Sequence, residues 1–273
     1  MMARPFKTLA APSWVMPGNI AENARFLAGK VDEVALLFLQ TKSSLAYSHG
    51  ASGDLLPELA ALPLTWHVHL PSDLPWRDGD GEAAGRIAAA LMDKAAYLGA
   101  RRAVLHPPSS LMRPEKCLKN FARAWEAAGR DASCLLLENI RENDLADLAP
   151  AIRRLGLGVC LDFGHMLAYN QTERLFRALP DFPAPAMVHW NAPVAPQGKK
   201  AGPASGPRSG HGPLTLLAPG EVPLARRLLD ALLPGPDSAG GREEPVMVLE
   251  CFAWKDIEAS LPLLRQWAAD SHL

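Results

Sequence analysis

SCLLLENIRENDLADLAPAIRRLGLGVCLD, residues Ser133–Asp162, decides the fold. Two short apolar runs, Ser133–Glu138 and Leu157–Asp162, flank a stretch, Leu145–Leu155, whose apolar residues recur at helical spacing. The runs lack polar alternation, which marks strands covered on both faces, and the helix between them supplies the crossover that parallel strands need. Both runs end in a carboxylate, Glu138 and Asp162.

The same unit repeats outward from this stretch. Apolar runs at Phe6–Ser13, Glu33–Gln40, Leu64–Leu70 and Ala103–His106 precede it, and Ala186–Trp190 and Val246–Glu250 follow. Helical patterns alternate with them at about Ile20–Ala28, Leu55–Leu62, Glu82–Leu98, Glu115–Ala128, His165–Leu179, Val222–Leu233 and Ile257–Ala269. Eight strand-plus-helix units in 273 residues predict a single-domain (β/α)8 TIM barrel of α/β class. A doubly wound open sheet is the competing architecture, but the Gly-rich phosphate motifs GxGxxG and GxxxxGK[ST] are absent. Two segments break the rhythm. Asn191–Pro213, rich in Gly, Pro, Ser and Ala, follows the seventh strand and is expected to be a flexible loop on the active-site face. Pro234–Pro245 precedes the eighth strand and reads as a plain connection on the opposite face.

Composition narrows the function. With 48% hydrophobic residues, the chain can bury a sizeable core. Lys+Arg total 28 and Asp+Glu 29, so the net charge of -1 argues against gripping nucleic acid or an anionic membrane as the main task. No apolar run approaches the roughly 18 residues of a membrane span, and no long apolar stretch follows Arg4 and Lys7 as a secretory signal would require. Cys117, Cys134, Cys160 and Cys251 show no CxxC spacing, and the last three sit inside apolar runs. A reducing cytoplasm without a disulfide framework is expected.

The polar residues at the strand ends carry the chemistry. The third run ends in His67 and His69, the fourth in His106 and the fifth in Glu138. The sixth ends in Asp162, with His165 three residues on, the seventh in His189 and the eighth in Glu250. In a parallel barrel all these ends point to one mouth, where adjacent strands lie about 4.8 Å apart. A lone His at a strand end is more often structural, and a lone Asp before a helix is often an N-cap. Six consecutive strand ends that agree outweigh those readings. Imidazole plus carboxylate is a ligand set for Zn, Mn, Fe or Co, and several carboxylates suit a multinuclear site that clamps a phosphoester or polarises a sugar carbonyl. His49 and His272 lack such placement and read as surface residues. Trp66, Trp76 and Trp254 read as core or pocket walls, while Trp14 and Trp190, near strand C-ends, are candidate stacking surfaces for a flat ligand.

The chain resembles the xylose isomerase-like TIM barrels (AP endonuclease family 2), which include endonuclease IV. The resemblance runs over most of the chain and rests on VHLP at Val68–Pro71, LHP at Leu105–Pro107, LLLEN at Leu135–Asn139, CLDFGH at Cys160–His165, VHWN at Val188–Asn191 and LE at Leu249–Glu250. The endonuclease IV-like members imply a trinuclear zinc set. One position would take His69 and His106, with Glu138 bridging to a second that also takes Asp162, His189 and Glu250. The third would take His165 and His211 with an Asp, but Ser209 stands where the family has that Asp. Two divalent ions are therefore expected.

Sugar isomerases and epimerases of the superfamily are similar through a smaller set, Glu138, Asp162, His189 and Glu250 around one metal. A finer resemblance, in Trp14–Gly29, Val31–Leu39 and His67–Leu70, is to the cobamide-remodelling phosphodiesterases. The leading expectation is thus a metal-dependent phosphodiester hydrolase acting on a small molecule. Glu138, Glu250 and His211 are its candidate catalytic groups, and His67, Trp14 and Trp190 its candidate substrate contacts. The alternative is a sugar or sugar-phosphate isomerase or epimerase. An abasic-site endonuclease and a non-catalytic metal-binding barrel stand behind these.

Overall fold

In the computed structural model, residues 5–49, 54–76, 80–109, 113–195, 210–233 and 243–271 are described. The chain begins with β1 (Leu9–Pro12), α1 (Ile20–Leu27), β2 (Glu33–Leu37), α2 (Thr41–Ala46), β3 (Thr65–His69) and α3 (Glu82–Ala95). It continues with β4 (Ala103–Leu105), α4 (Pro114–Ala127), β5 (Leu135–Glu138), α5 (Leu145–Leu155), β6 (Gly158–Asp162), α6 (Phe163–Ala168) and α7 (Thr172–Ala178). It ends with β7 (Met187–Trp190), β8 (Ala192–Val194), β9 (Gly210–Gly212), α8 (Val222–Leu232), β10 (Val246–Leu249) and α9 (Trp254–Asp270). Eight strands close into a barrel in the order β1-β10-β7-β6-β5-β4-β3-β2, every pair parallel. The predicted α/β barrel is the observed one.

Strand alternation explains why two separate cores form. Successive side chains point to opposite faces. Outward residues such as Val34, Leu36, Val68, Leu105, Leu137, Val159 and Leu161 join the large core between sheet and helices. Inward residues form a small plug of Ala10, Val104, Leu136, Cys160, Met187, Val246 and Val248. Gly158 starts β6 because a Cβ there would meet the Ser133 carbonyl at 2.7 Å and the Leu136 side chain more closely still.

The structure corrects several expectations. The helix read over His165–Leu179 is two helices, because Asn170 adopts a left-handed φ of 56° and ends the first. The break lets Gln171 donate to the Ile140 carbonyl at 2.8 Å. The helix read over Leu55–Leu62 is one 3-10 turn, Pro57–Ala61, and α2 was not anticipated. The segment 191–213 is not loop throughout, since β8 and β9 pair antiparallel, Pro193 opposite His211. His211 is thereby held on a strand rather than on a flexible loop; residues 196–209, Ser209 among them, lie outside the described residues, as do 234–242 and His272. His49 is exposed, as expected.

Candidate metal centre

The inner plug explains why the predicted ligands converge. Two residues beyond Leu136, Cys160, Met187 and Val248, the same inward face presents Glu138, Asp162, His189 and Glu250. His69 on β3 and His106 just beyond β4 close the ring on the other side. His165, in the first turn of α6, and His211, on β9, complete it from above.

Glu138 is the hub. Its Oε2 lies 3.2 Å from His69 Nε2 and 3.1 Å from His106 Nε2, and its Oε1 lies 3.4 Å from His165 Nδ1 and 3.5 Å from His189 Nδ1. Glu250 Oε2 lies 3.3 Å from His189 Nδ1 and 3.1 Å from His211 Nδ1. Donor atoms fall into three groups, each within 4.8 Å of one another: His69–Glu138–His189, Glu138–Asp162–His189–Glu250 and Asp162–His165–His211. The first two share Glu138 and His189, and the last two share Asp162.

The ring tautomers suit metal ligation. His69 Nδ1–H donates to the Leu70 carbonyl at 3.1 Å and His165 Nδ1–H to the Asn139 carbonyl at 2.9 Å, which fixes a proton on Nδ1 and makes Nε2 the nitrogen that a cation would take. Both ring nitrogens of His189, His211 Nδ1 and Glu250 Oε2 are buried and make no well-aligned hydrogen bond, although Glu250 Oε2 lies within ion-pair distance of both rings. Orphaned buried polar atoms are costly. Here they surround the points that a cation would occupy, so the residues fit divalent metal.

Charge tells the same story. Among the described residues, no Lys or Arg ion-pairs with Glu138, Asp162 or Glu250. Burial would raise the Glu138 and Glu250 carboxyls, but surrounding imidazoles hold both well below the usual range. Burial and the charges of Glu250 and Glu138 push Asp162 up against the pull of His165. Burial lowers the imidazoles, yet the carboxylates, joined at His189 by Cys160, overcome it: His69 and His189 are raised and His211 reaches about 9. A cation entering the cluster would displace those protons.

Asp162 does double duty. It caps α6, its Oδ1 accepting from the His165 backbone at 2.6 Å, and it also faces the cluster. Two residues without an assigned role in the sequence reading hold it. Asn139 exchanges hydrogen bonds with the Asp162 backbone at 2.8 and 2.9 Å, and Asn191 Nδ2 donates to Asp162 Oδ2 at 3.0 Å. Gly164 leaves room for Asn191, whose amide a Cβ there would overlap. Both asparagines directly follow a strand's last residue, Glu138 or Trp190, which is the signal that could have marked them.

Two expected substrate contacts are corrected. Trp190 is fully buried on the outward face, packed on Phe163 at 5.2 Å with its Nε1–H on Met247 Sδ at 3.2 Å, so it cannot stack on a ligand. His67 faces inward but lies one step below the mouth, wholly buried, with Nδ1–H donating to Glu33 Oε1 at 2.6 Å. Trp14, by contrast, is half-exposed on the segment after β1. Over the cluster lies a cavity of about 190 Å³, open to His69, His106, Glu138, His165, His211 and Glu250.

Comparison with known proteins agrees with this architecture. A family model described as xylose isomerase-like TIM barrel matches residues 52–216, more than half of the chain. No curated protein matches by sequence. Among solved structures, a D-tagatose 3-epimerase-like protein is similar at 14% identity and a TM-score of 0.64, over 97% of this chain and 98% of its own. Endonuclease IV from Thermus thermophilus is similar at 19% identity and a TM-score of 0.62, over 97% and 100%. The IOLI protein with a bound zinc atom follows at 13% and 0.57, over 97% and 96%.

Proposed function

This chain belongs to the xylose isomerase-like TIM barrel family, and on that footing we propose that it is a metal-dependent phosphodiester hydrolase acting on a small molecule. The observation that carries the reading is the surplus of imidazoles: His69 and His106 at Glu138, and His165 and His211 beside Asp162 and Glu250. A one-metal centre built on Glu138, Asp162, His189 and Glu250 does not need them. Overlapping donor groups that share Glu138 suit two cations a few ångströms apart.

Divalent ions held there supply Lewis acidity and a nucleophile ionised near neutral pH. The chain's own residues do the rest. Glu138, common to two of the donor groups, would hold both ions. Asp162, pinned by Asn191 and the His165 backbone, and Glu250, between His189 and His211, set the orientation of the second position. His211 lines the cavity wall from its strand, which supports a role for it as donor to a phosphate oxygen or to a departing alkoxide. Resemblance at Trp14–Gly29, Val31–Leu39 and His67–Leu70 makes the phosphodiester of a cobamide nucleotide loop the first substrate to test.

The second reading, a sugar or sugar-phosphate isomerase or epimerase, is favoured by Glu138 and Glu250 both lining one four-residue donor group, as two proton-moving glutamates would. Metal analysis of the purified protein, with a phosphodiester panel that includes intact cobamides, separates the two. About two metal equivalents and phosphodiester cleavage abolished by chelation are expected. One metal equivalent with deuterium exchange beside a sugar carbonyl, and no cleavage, overturns the hydrolase.

A further inference from the structure

One side of the barrel mouth carries exposed apolar side chains beside the candidate metal centre. Among the described residues, the exposed large hydrophobics are Trp14, Leu39, Leu45, Leu216 and Phe252. Trp14, Leu39, Leu216 and Phe252 lie on connections that follow β1, β2, β7 and β10, while Leu45 lies on α2; those four strands are contiguous in the barrel, in the order β2-β1-β10-β7. Among the described residues, the facing connections after β3 to β6 expose Arg113, Glu115, Lys116, Arg141 and Glu142; Leu111 and Met112, which follow β4, lie outside the described residues.

Scattered exposed apolar side chains need no explanation; an arc of them on connections beside a candidate active-site cavity does. This arc is also continuous with the metal centre. Leu39, 52% exposed, and Phe252, 45% exposed, line the cavity that opens onto His69, His106 and Glu138. The Phe252 ring stacks on His211 at 5.1 Å and 24°. A ligand whose reacting group sits at the cluster must therefore lay one side along apolar surface.

We propose that this arc is a subsite for a large, flat, apolar substituent of the substrate, placed beside the reacting group. Resting on the hydrolase reading, the substrate class is a phosphodiester carrying one such substituent. A nucleic-acid backbone would place charge and water against the arc, and an unadorned sugar would leave it bare. Covering apolar side chains on binding is favourable in proportion to the area removed from water, so even partial coverage is readable as affinity.

The test uses the zinc-loaded full-length protein and calorimetric titration with methylphosphonate, 1-naphthylphosphonate and neutral 1-naphthylmethanol. The naphthylphosphonate is expected to bind at least about tenfold tighter than methylphosphonate. That preference is expected to fall to about threefold or less in the Leu39→Ser, Trp14→Ala double variant, whose two sites are half-exposed and whose zinc content should not change. Equal affinity of the two phosphonates for the unsubstituted protein overturns the subsite and leaves the hydrolase reading standing. If neither phosphonate binds, the phosphate reading fails, and naphthylmethanol decides the arc alone: binding lost in the double variant supports it, and no binding overturns it. A dimer in sedimentation analysis that the double variant converts to monomer would assign the arc to a second copy and overturn the proposal.

Discussion

At the floor of the lumen, Glu33 is held by Arg102 Nη2 at 2.8 and 3.1 Å, Thr65 Oγ1 at 3.1 Å and His67 Nδ1 at 2.6 Å. One layer higher, Glu138, Asp162 and Glu250 face five imidazoles and no ion-paired Lys or Arg among the described residues. Both clusters are buried histidine–carboxylate groups inside one barrel. The floor carries its own permanent counter-cation; the mouth does not. A buried charge without a partner is expensive, so the mouth must be neutralised by protons or by cations from solution. That difference separates a structural ion pair from a centre built to receive something.

The largest effect comes from breaking the mouth at its hub. Glu138→Ala is expected to lower metal content to background, read by inductively coupled plasma mass spectrometry, and activity by more than about a hundredfold. Retained metal and activity would mean that the cluster is only a second structural network. Breaking the floor should do the opposite. Glu33→Ala leaves Arg102 and His67 without their partner and is expected to cost about 3 kcal/mol in urea unfolding. Its metal content should match that of the unsubstituted protein.

Acid sharpens the comparison. Burial raises the Glu33 carboxyl, but the hydrogen bond and charge of His67 and the charge of Arg102 leave it below the ordinary value near 4.5. A depressed carboxylate contributes stability that is fully present above its unfolded value and lost as pH falls through the folded one. The stability gap between the unsubstituted protein and Glu33→Ala is therefore expected to be constant above pH 4.5 and to shrink below it. A gap that persists undiminished into that range would show that packing, not charge, holds the floor.

Much of the mouth was legible from sequence because strand period and barrel topology act together. A His or carboxylate closing an apolar parallel strand lands at the same rim whatever else the chain does, which is why Glu138, Asp162, His189 and Glu250 could be placed from their spacing alone. What failed were cases in which a single-residue step decides the outcome. Trp190 follows His189 directly and so faces the helices, and His67 precedes His69 by two and so faces the lumen a layer too low. The β8–β9 hairpin that carries His211 was hidden because its three-residue strands are rich in Gly, Ala and Pro and pair only with each other. The floor pair was hidden too, since Glu33 and Arg102 are far apart in sequence and only the barrel's register brings them together.

The smallest effect tests the boundary between the two clusters, and His67 is that boundary. It sits between Glu33 below and the mouth above, and its Nε2 is buried without a partner. Burial lowers its pKa against the pull of Glu33, so at neutral pH the ring is uncharged, with Nδ1–H given to Glu33. A glutamine at this position can offer a side-chain N–H to that carboxylate, with its carbonyl oxygen taking the place of the unpaired nitrogen. His67→Gln should therefore cost only about 1 kcal/mol, with metal content unchanged and kcat/KM for the proposed hydrolysis within about twofold of the unsubstituted protein. If His67 instead touched substrate, as its place in the sequence first implied, KM would rise with stability intact. A drop in metal content would make it a ligand of the mouth, and the line between a closed floor and an open mouth would have to be drawn one residue lower, at Glu33 itself.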